Sequence, residues 1–218
     1  MSVHPRRPLP TSATRLVHSS LLARTSDYED HTFSGIIFIL QVNSLLPIDF
    51  VEIHSVFVRG QMGQMSVYST QDQVENSQID TLLGESLGKP EKWQTHFGPY
   101  EIQNRYPALN VELELDVPIR ICNGCSVAIY VHSETAGDMA IVYDQQRRVC
   151  GYKDDIIRIL PGISHTSNIP HSNINHWGRM AWRGGRSFVG QIKYGAKHLL
   201  WTPPSQSMFS QQFNRGRI

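Results

Sequence analysis

The chain has 218 residues, of which 40% are hydrophobic and 18% are charged, and its net charge is +1. This length and composition are typical of one full-sized globular domain with its own core. The longest apolar run, residues 35–40, has six residues, whereas a helix needs roughly 20 to cross a bilayer, so we expect no insertion into membranes.

The small net charge hides an uneven distribution. Residues 1–26 carry four arginines and no acidic residue, residues 27–144 carry five basic and 17 acidic residues, and residues 145–218 carry 11 basic and two acidic residues. Such asymmetry can give a protein a basic face for an anionic partner. Alternatively, strands from the oppositely charged regions interleave in one domain and pair their charges.

Residues 1–31 show no sustained hydrophobic periodicity and contain three prolines, which predicts a flexible tail. The tail carries Arg and Ser but no acidic residue before Asp27, a composition that overlaps that of mitochondrial transit peptides. Only short apolar pairs are available for an amphipathic face, so we expect a cytoplasmic protein, with mitochondrial import as the alternative. A secretory signal is not expected, because the tail lacks an apolar core.

Beyond the tail, Val, Ile, Phe and Tyr recur at every second position between turns that contain Gly or Pro, which is typical of β-strands. The predicted strands are residues 33–42, 50–59, 64–70, 110–117, 126–132, 139–144, 155–160, 187–194 and 196–201. We expect two hairpins, one across the glycines at 60 and 63 and one across the loop 133–137. Residues 71–105 and 164–186 are predicted to be long irregular connections.

These elements predict an all-β protein without strong helices. The expected fold is one antiparallel, jelly-roll-like β-sandwich of seven to nine strands, formed by residues 32–202. A second flexible tail is expected at residues 203–218.

Three cysteines are present, and Cys122 and Cys125 form a C-x-x-C motif. This motif can be a redox pair or half of a zinc site. We favour structural thiols in a reducing compartment, because only Cys150 remains as a further thiolate and Asn123-Gly124 is typical of a turn between strands. A zinc site made of the three cysteines and one histidine stays open.

Five segments of the chain read FVRGQMGQMSVYST, SVAIYVHS, GDMAIVYD, ILPGISHTSN and FVGQIKYG. They resemble an uncharacterised family of β-rich proteins from fungi and other microbial eukaryotes. The resemblance extends over residues 33–201 and implies a fold but no reaction. The chain departs from the family pattern at Phe57, Gln64 and His171, where the family usually has Trp, Pro and Phe, so a site that depends on His171 is not a family property. A weaker likeness is to jelly-roll interaction modules such as the PHR domain.

Histidines and carboxylates suggest one possible enzymatic site. The long connection contains His165, His171 and His176, and Asp138 and Asp144 flank another predicted strand. Such residues can bind zinc or iron, or a His–Asp pair can act as a general base. The histidine spacing matches no compact metal motif, and His is common in polar loops, where it forms ordinary hydrogen bonds.

No other catalytic signature is apparent. The chain has no G-x-S-x-G nucleophile motif and no phosphate-binding glycine loop. His132 and Ser133 are neighbours on one strand and therefore point to opposite faces. No motif indicates a cofactor.

A second candidate surface combines indole rings with arginines, which suit stacking on bases or sugars and binding of phosphates. The alternative is that the tryptophans cover one end of the sandwich and the arginines pair with acidic strands near Glu112 and Glu114. The candidate ligand-binding residues are Trp177, Arg179, Trp182, Arg183 and Arg186.

The function expected from these observations is a non-enzymatic binding or scaffolding module. Loops at one end of the sandwich would contact another macromolecule, most readily a protein, because loops held by a rigid sheet commonly carry recognition. The alternatives are binding of an anionic polymer or glycan by residues 177–186, and a metal-dependent enzyme that uses the histidines at 165–176. The sequence does not determine the oligomeric state.

Overall fold

The computed structural model describes residues 14–28 and 31–199. Strands in which apolar residues recur at every second position form two antiparallel sheets. The strands are β1 (Thr14–Arg24), β2 (His31–Phe33), β3 (Gly35–Val42), β4 (Ile48–Val58), β5 (Met62–Thr70), β6 (Val74–Glu75), β7 (Trp93–Gln103), β8 (Val111–Cys122), β9 (Cys125–Ser133), β10 (Ile141–Gln145), β11 (Tyr152–Lys153), β12 (Ile157–His165), β13 (Trp182–Phe188) and β14 (Gln191–Leu199). One α-helix, α1 (Ile79–Ser86), and two short 3-10 turns, Asn76–Gln78 and Pro90–Lys92, lie between β6 and β7.

The strands divide into a smaller and a larger sheet. The smaller sheet has four strands in the order β1-β14-β4-β8. The larger sheet has ten strands, in the order β2-β10-β13-β12-β3-β9-β5-β7, with β11 paired to β12 and β6 paired to β9. The fold is therefore the predicted all-β antiparallel sandwich.

The main core lies between the two sheets. Phe38 of β3 and Phe188 of β13 stack with their ring centroids 4.2 Å apart. Ile53 of β4 and Tyr194 of β14 face them from the smaller sheet and are likewise buried. Burial of a side chain of this size contributes about 1.5–3 kcal/mol, so this layer is the main source of stability.

A second, smaller core covers the outer face of the larger sheet. Ile37 and Tyr130 alternate with the inward-facing residues of β3 and β9, and α1 contributes Leu82 to the same cluster. This explains why β3 and β9 are apolar on both faces: each side of these strands is covered.

Both predicted hairpins are wrong. β4 lies in the smaller sheet and β5 in the larger one, while β9 and β10 are separated by β3, β12 and β13. At the first predicted hairpin, the chain instead crosses from one sheet to the other at Gly60, whose φ is 136°. A Cβ there would lie 2.2 Å from the carbonyl oxygen of Ala140, so the crossing requires glycine.

The structure contains fourteen strands in its described residues, more than the seven to nine expected. β7 lies in the segment 71–105, and most of β13 lies in the segment 164–186, both predicted to be irregular. β1 lies within the predicted N-terminal tail and pairs with β14. Polar residues and bulges obscured the alternation in these strands. The predicted tail at 203–218 lies outside the described residues. In the part of the chain described, no helix is long and apolar enough to span a membrane.

We expect Phe38→Ala to lower the free energy of unfolding by about 3–5 kcal/mol, because the substitution leaves a cavity opposite Phe188. Urea denaturation measures this loss. The matched control is Leu45→Ala, whose side chain is fully exposed, and which should change the stability by less than about 0.5 kcal/mol. Equal effects of the two substitutions would contradict the assigned core.

Candidate functional site

The 166–181 loop connects β12 to β13 and lies over the outer face of the larger sheet. Its two ends are joined, since the backbone N–H and the hydroxyl of Thr166 both donate to the carbonyl of Ala181, at 2.9 and 3.0 Å. The loop therefore leaves the sheet and returns to it at one place.

Two buried histidines hold the loop to the sheet. Nε2 of His132 lies 2.9 Å from the carbonyl oxygen of Ser167, and Nε2 of His165 lies 2.9 Å from that of Ser172. Because a carbonyl only accepts, both Nε2 atoms carry hydrogen. Nδ1 of His165 is then an acceptor, and the hydroxyl of Tyr130 donates to it at 2.7 Å.

Gly35 leaves room for these rings. It pairs with His132 on one side and with His165 on the other, so the three residues form one row across the sheet. A Cβ on Gly35 would lie 2.9 Å from the ring of Tyr130 and 3.1 Å from that of His132. The missing side chain allows the two imidazoles to approach to 5.3 Å between centroids.

Both imidazoles are neutral at pH 7. Burial lowers the pKa of His132 to about 3 and that of His165 to about 4, because a charged ring loses its hydration in this environment. Burial also raises the pKa of Tyr130 well above its ordinary value. Nδ1 of His132 has no hydrogen-bond partner among the described residues. These groups anchor the loop without adding charge.

The middle of the loop packs onto aromatic rings of the sheet. His171, at a φ of 59°, places its ring 5.0 Å from that of Tyr68 and 5.3 Å from that of Tyr130. Trp182 stacks on His165 at 4.0 Å and donates from Nε1 to Oδ1 of Asn173 at 3.0 Å. The loop is thus fixed along its length as well as at its ends.

Asn175 organises the tip of the loop. Its Oδ1 accepts the backbone N–H groups of Trp177 and Arg179 at 3.1 and 3.0 Å. Ile174 and Met180 form an antiparallel bridge on either side of this turn. The tip is therefore a short, ordered hairpin rather than an open loop.

The 166–181 loop, including its ordered tip, exposes large apolar side chains. Those of Ile169, Ile174, Trp177 and Met180 have exposed fractions between 53% and 69%. Soluble proteins seldom concentrate exposed apolar residues in this way except at interaction sites.

The five predicted ligand-binding residues have different environments. Trp177, Arg179 and Arg183 are exposed, whereas Trp182 is buried and cannot stack on a ligand. Arg186 is partly buried and donates from Nη1 to the carbonyl of Gly185 at 3.1 Å. Within the described residues, none of the three arginines forms an ion pair.

Glu112 of β8, one of the acidic residues expected to pair with these arginines, forms its contacts with other side chains. Glu112 accepts a hydrogen bond from Ser55 at 2.7 Å and pairs with Lys193 at 3.3 Å. Charges from the two oppositely charged regions therefore meet at this pair, but the arginines at 179 and 183 remain available to a partner.

The candidate catalytic and metal-binding residues are not brought together. Asp138 is exposed, and the buried carboxylate of Asp144 accepts the backbone N–H of Tyr28 at 2.7 Å, so neither pairs with His165. His176 is exposed and packs on the indole of Trp177. No group of three or more His, Cys, Asp or Glu side chains within residues 14–28 and 31–199 can hold a metal ion.

Acid should destabilise the protein through the buried histidines. An unfolded histidine has a pKa near 6.5, above the folded values of His132 and His165. The unfolded state therefore binds more protons than the folded state at acidic pH. The free energy of unfolding is highest above about pH 6.5 and falls toward pH 4, by up to about 1.4 kcal/mol per pH unit for each histidine. Urea denaturation between pH 7.5 and 4.5 measures this slope. His132→Gln should reduce it, the exposed control His176→Gln should leave it unchanged, and identical slopes in all three proteins would refute the assignment.

Tyr130→Phe should lower the free energy of unfolding by about 1–3 kcal/mol, because it leaves Nδ1 of His165 buried without a donor. Thermal and chemical denaturation measure the loss. Tyr143→Phe is the matched control, since Tyr143 is equally buried but its hydroxyl makes no hydrogen bond within the described residues. A loss no greater in Tyr130→Phe than in the control would show that the bond does not hold the loop.

Comparison with known proteins does not identify the chain. No model of a protein family matches it, and a search of characterised proteins finds no significant match. Membership of the fungal β-rich family is a proposal based on the five segments quoted above.

Proposed function

We propose that this protein is a binding module that recognises another protein through the 166–181 loop. The observation that carries the proposal is the exposure of four large apolar side chains on a loop whose backbone is hydrogen-bonded to the sheet. Burial of these side chains against a partner would supply the driving force. The pre-formed backbone would limit the entropy lost on binding.

The composition of the tip fits a protein partner. Trp177 and Met180 are of types enriched in the centres of interfaces, and Arg179 lies between them in the chain; Trp and Arg often dominate binding energy. Arg179 and Arg183 are exposed without ion pairs among the described residues. The partner we infer has an apolar groove with acidic residues at its rim.

Binding of an anionic polymer or glycan is the second candidate. The arginines without ion pairs and the basic character of residues 145–218 favour it. The burial of Trp182 weakens it, because only Trp177 remains for stacking. The two candidates differ in salt dependence: polymer binding through phosphates or sulfates should weaken steeply with salt, whereas protein binding at an apolar tip with a charged rim should weaken much less.

A cytoplasmic location forms part of the proposal. Cys122, Cys125 and Cys150 are all free thiols in the structure, which suits a reducing compartment. The thiol of Cys150 donates to the carbonyl of Tyr152.

Trp177→Ala should weaken binding of the partner at least tenfold, because truncation of a central indole at an interface costs about 2 kcal/mol or more. Partners are captured from an extract of the source cells by the wild-type chain, and the Kd of each is then measured by calorimetry. The control is Tyr106→Ala, another exposed aromatic residue that lies outside the loop.

The proposal fails if Trp177→Ala and Tyr106→Ala bind every captured protein equally well. Measurement of heparin and RNA binding at 50 and 300 mM salt tests the second candidate. If only these polymers bind, and if the affinity falls steeply with salt, the anionic-ligand function replaces the protein-binding one.

A further inference from the structure

A cavity opens at one edge of the larger sheet. There the edge strand β7 approaches β8, which is the edge strand of the smaller sheet. The cavity has a volume of about 190 Å³, and its lining includes Ser69, Gln94 and His96. A cavity of about 150 Å³ accepts a molecule the size of benzene, so this one has room for a small organic ligand. None of these residues belongs to the 166–181 loop.

His96 is oriented by a backbone carbonyl across the gap between the sheets. Its Nδ1 lies 2.8 Å from the carbonyl oxygen of Val117, and because that oxygen only accepts, Nδ1 carries the hydrogen. Nε2 is therefore left with a free lone pair. This nitrogen lies 2.9 Å from Oγ of Ser69.

The Ser69 hydroxyl has one proton and two acceptors within reach. Nε2 of His96 is the nearer, at 2.9 Å, and the carbonyl oxygen of Thr70 lies at 3.2 Å. The shorter contact directs the proton to the imidazole. A hydroxyl bonded to an imidazole whose other nitrogen is held by an acceptor is the arrangement that activates a serine nucleophile.

The environment keeps His96 in the form that accepts a proton. Ser69 and His96 have exposed fractions of 3% and 5%, and burial lowers the pKa of His96 below its ordinary value. The imidazole is consequently neutral at pH 7, as a general base must be. Gln94 pairs with Ser69 across the β5–β7 ladder and also lines the cavity, so its side-chain amide is a candidate donor for a developing oxyanion.

We propose that Ser69 and His96 form a nucleophile and general-base pair that hydrolyses small acyl esters in this cavity. Oγ of Ser69 attacks the ester carbonyl carbon while its proton passes to Nε2 of His96. The bond to the alcohol oxygen then breaks, and the alcohol leaves with that proton. Water attacks the acylated serine, His96 takes one proton from it and returns it to Oγ, and the carboxylic acid is released.

The size of the cavity defines the substrate class. About 190 Å³ holds an acyl group of a few carbons, and a longer chain would have to extend into solvent. This activity is independent of the proposed binding function, because the 166–181 loop contributes no residue to the cavity.

A fluorophosphonate probe tests the nucleophile directly, because Oγ attacks its phosphorus, fluoride leaves and the serine proton passes to His96. Intact mass spectrometry should show one phosphonyl group per chain, and peptide mapping should place it on Ser69. Ser69→Ala should abolish labelling, whereas Ser26→Ala, at an exposed serine, should leave it unchanged. His96→Gln should slow labelling at least 100-fold. The rate for the wild-type protein should fall as acidic pH protonates His96.

Hydrolysis of p-nitrophenyl acetate and p-nitrophenyl palmitate provides the second readout. We expect turnover of the acetate to exceed that of the palmitate, and to be lost in Ser69→Ala. Failure of the folded wild-type protein to react with the probe, or a label mapped to a different residue, would overturn the proposal and leave Ser69 and His96 as a structural link between the sheets. Mapping uses the wild-type chain, so the test holds even if Ser69→Ala does not fold.

Discussion

β3 and β9 lie at the centre of the larger sheet and bury side chains on both of its faces. The smaller sheet packs against one face and leaves the opposite face uncovered. The outer face therefore needs a separate cover, which α1 and the 166–181 loop supply. Because a loop brings backbone polar groups with it, burial of this face is favourable only if those groups find partners. His132 and His165 bind two of the loop carbonyls.

This requirement connects stability with the proposed recognition. The same contacts that cover Tyr130 and Trp182 hold the loop backbone in one conformation, so the tip can present apolar side chains without collapsing onto the sheet. Loops with few contacts fold on binding and lose affinity through ordering. Here folding of the domain has already fixed the loop. The cavity at Ser69 and His96 lies away from this loop, where β7 passes β8.

The sequence predicted the fold class and most central strands, because alternation of apolar residues depends only on local burial. β4 and β5 match the predicted strands closely. Pairing was not predictable, because period two does not specify a partner, and both hairpins were wrong for that reason. The sites depend on pairing: His132 and His165 meet only through Gly35, and Ser69 and His96 are 27 residues apart in the chain. Only Trp177, Arg179 and Arg183, exposed on one local segment, could be identified without the topology.

The two histidine anchors bind main-chain oxygens of Ser167 and Ser172, not their side chains. Every amino acid offers the same oxygen, so the attachment does not depend on what is displayed at Ile169 or Ile174. Diversification of these outward positions would therefore change the ligand without affecting the framework, much as antibody loops vary on a constant sandwich. In the proposed binding module, folding and specificity would thus be encoded by separate sets of residues.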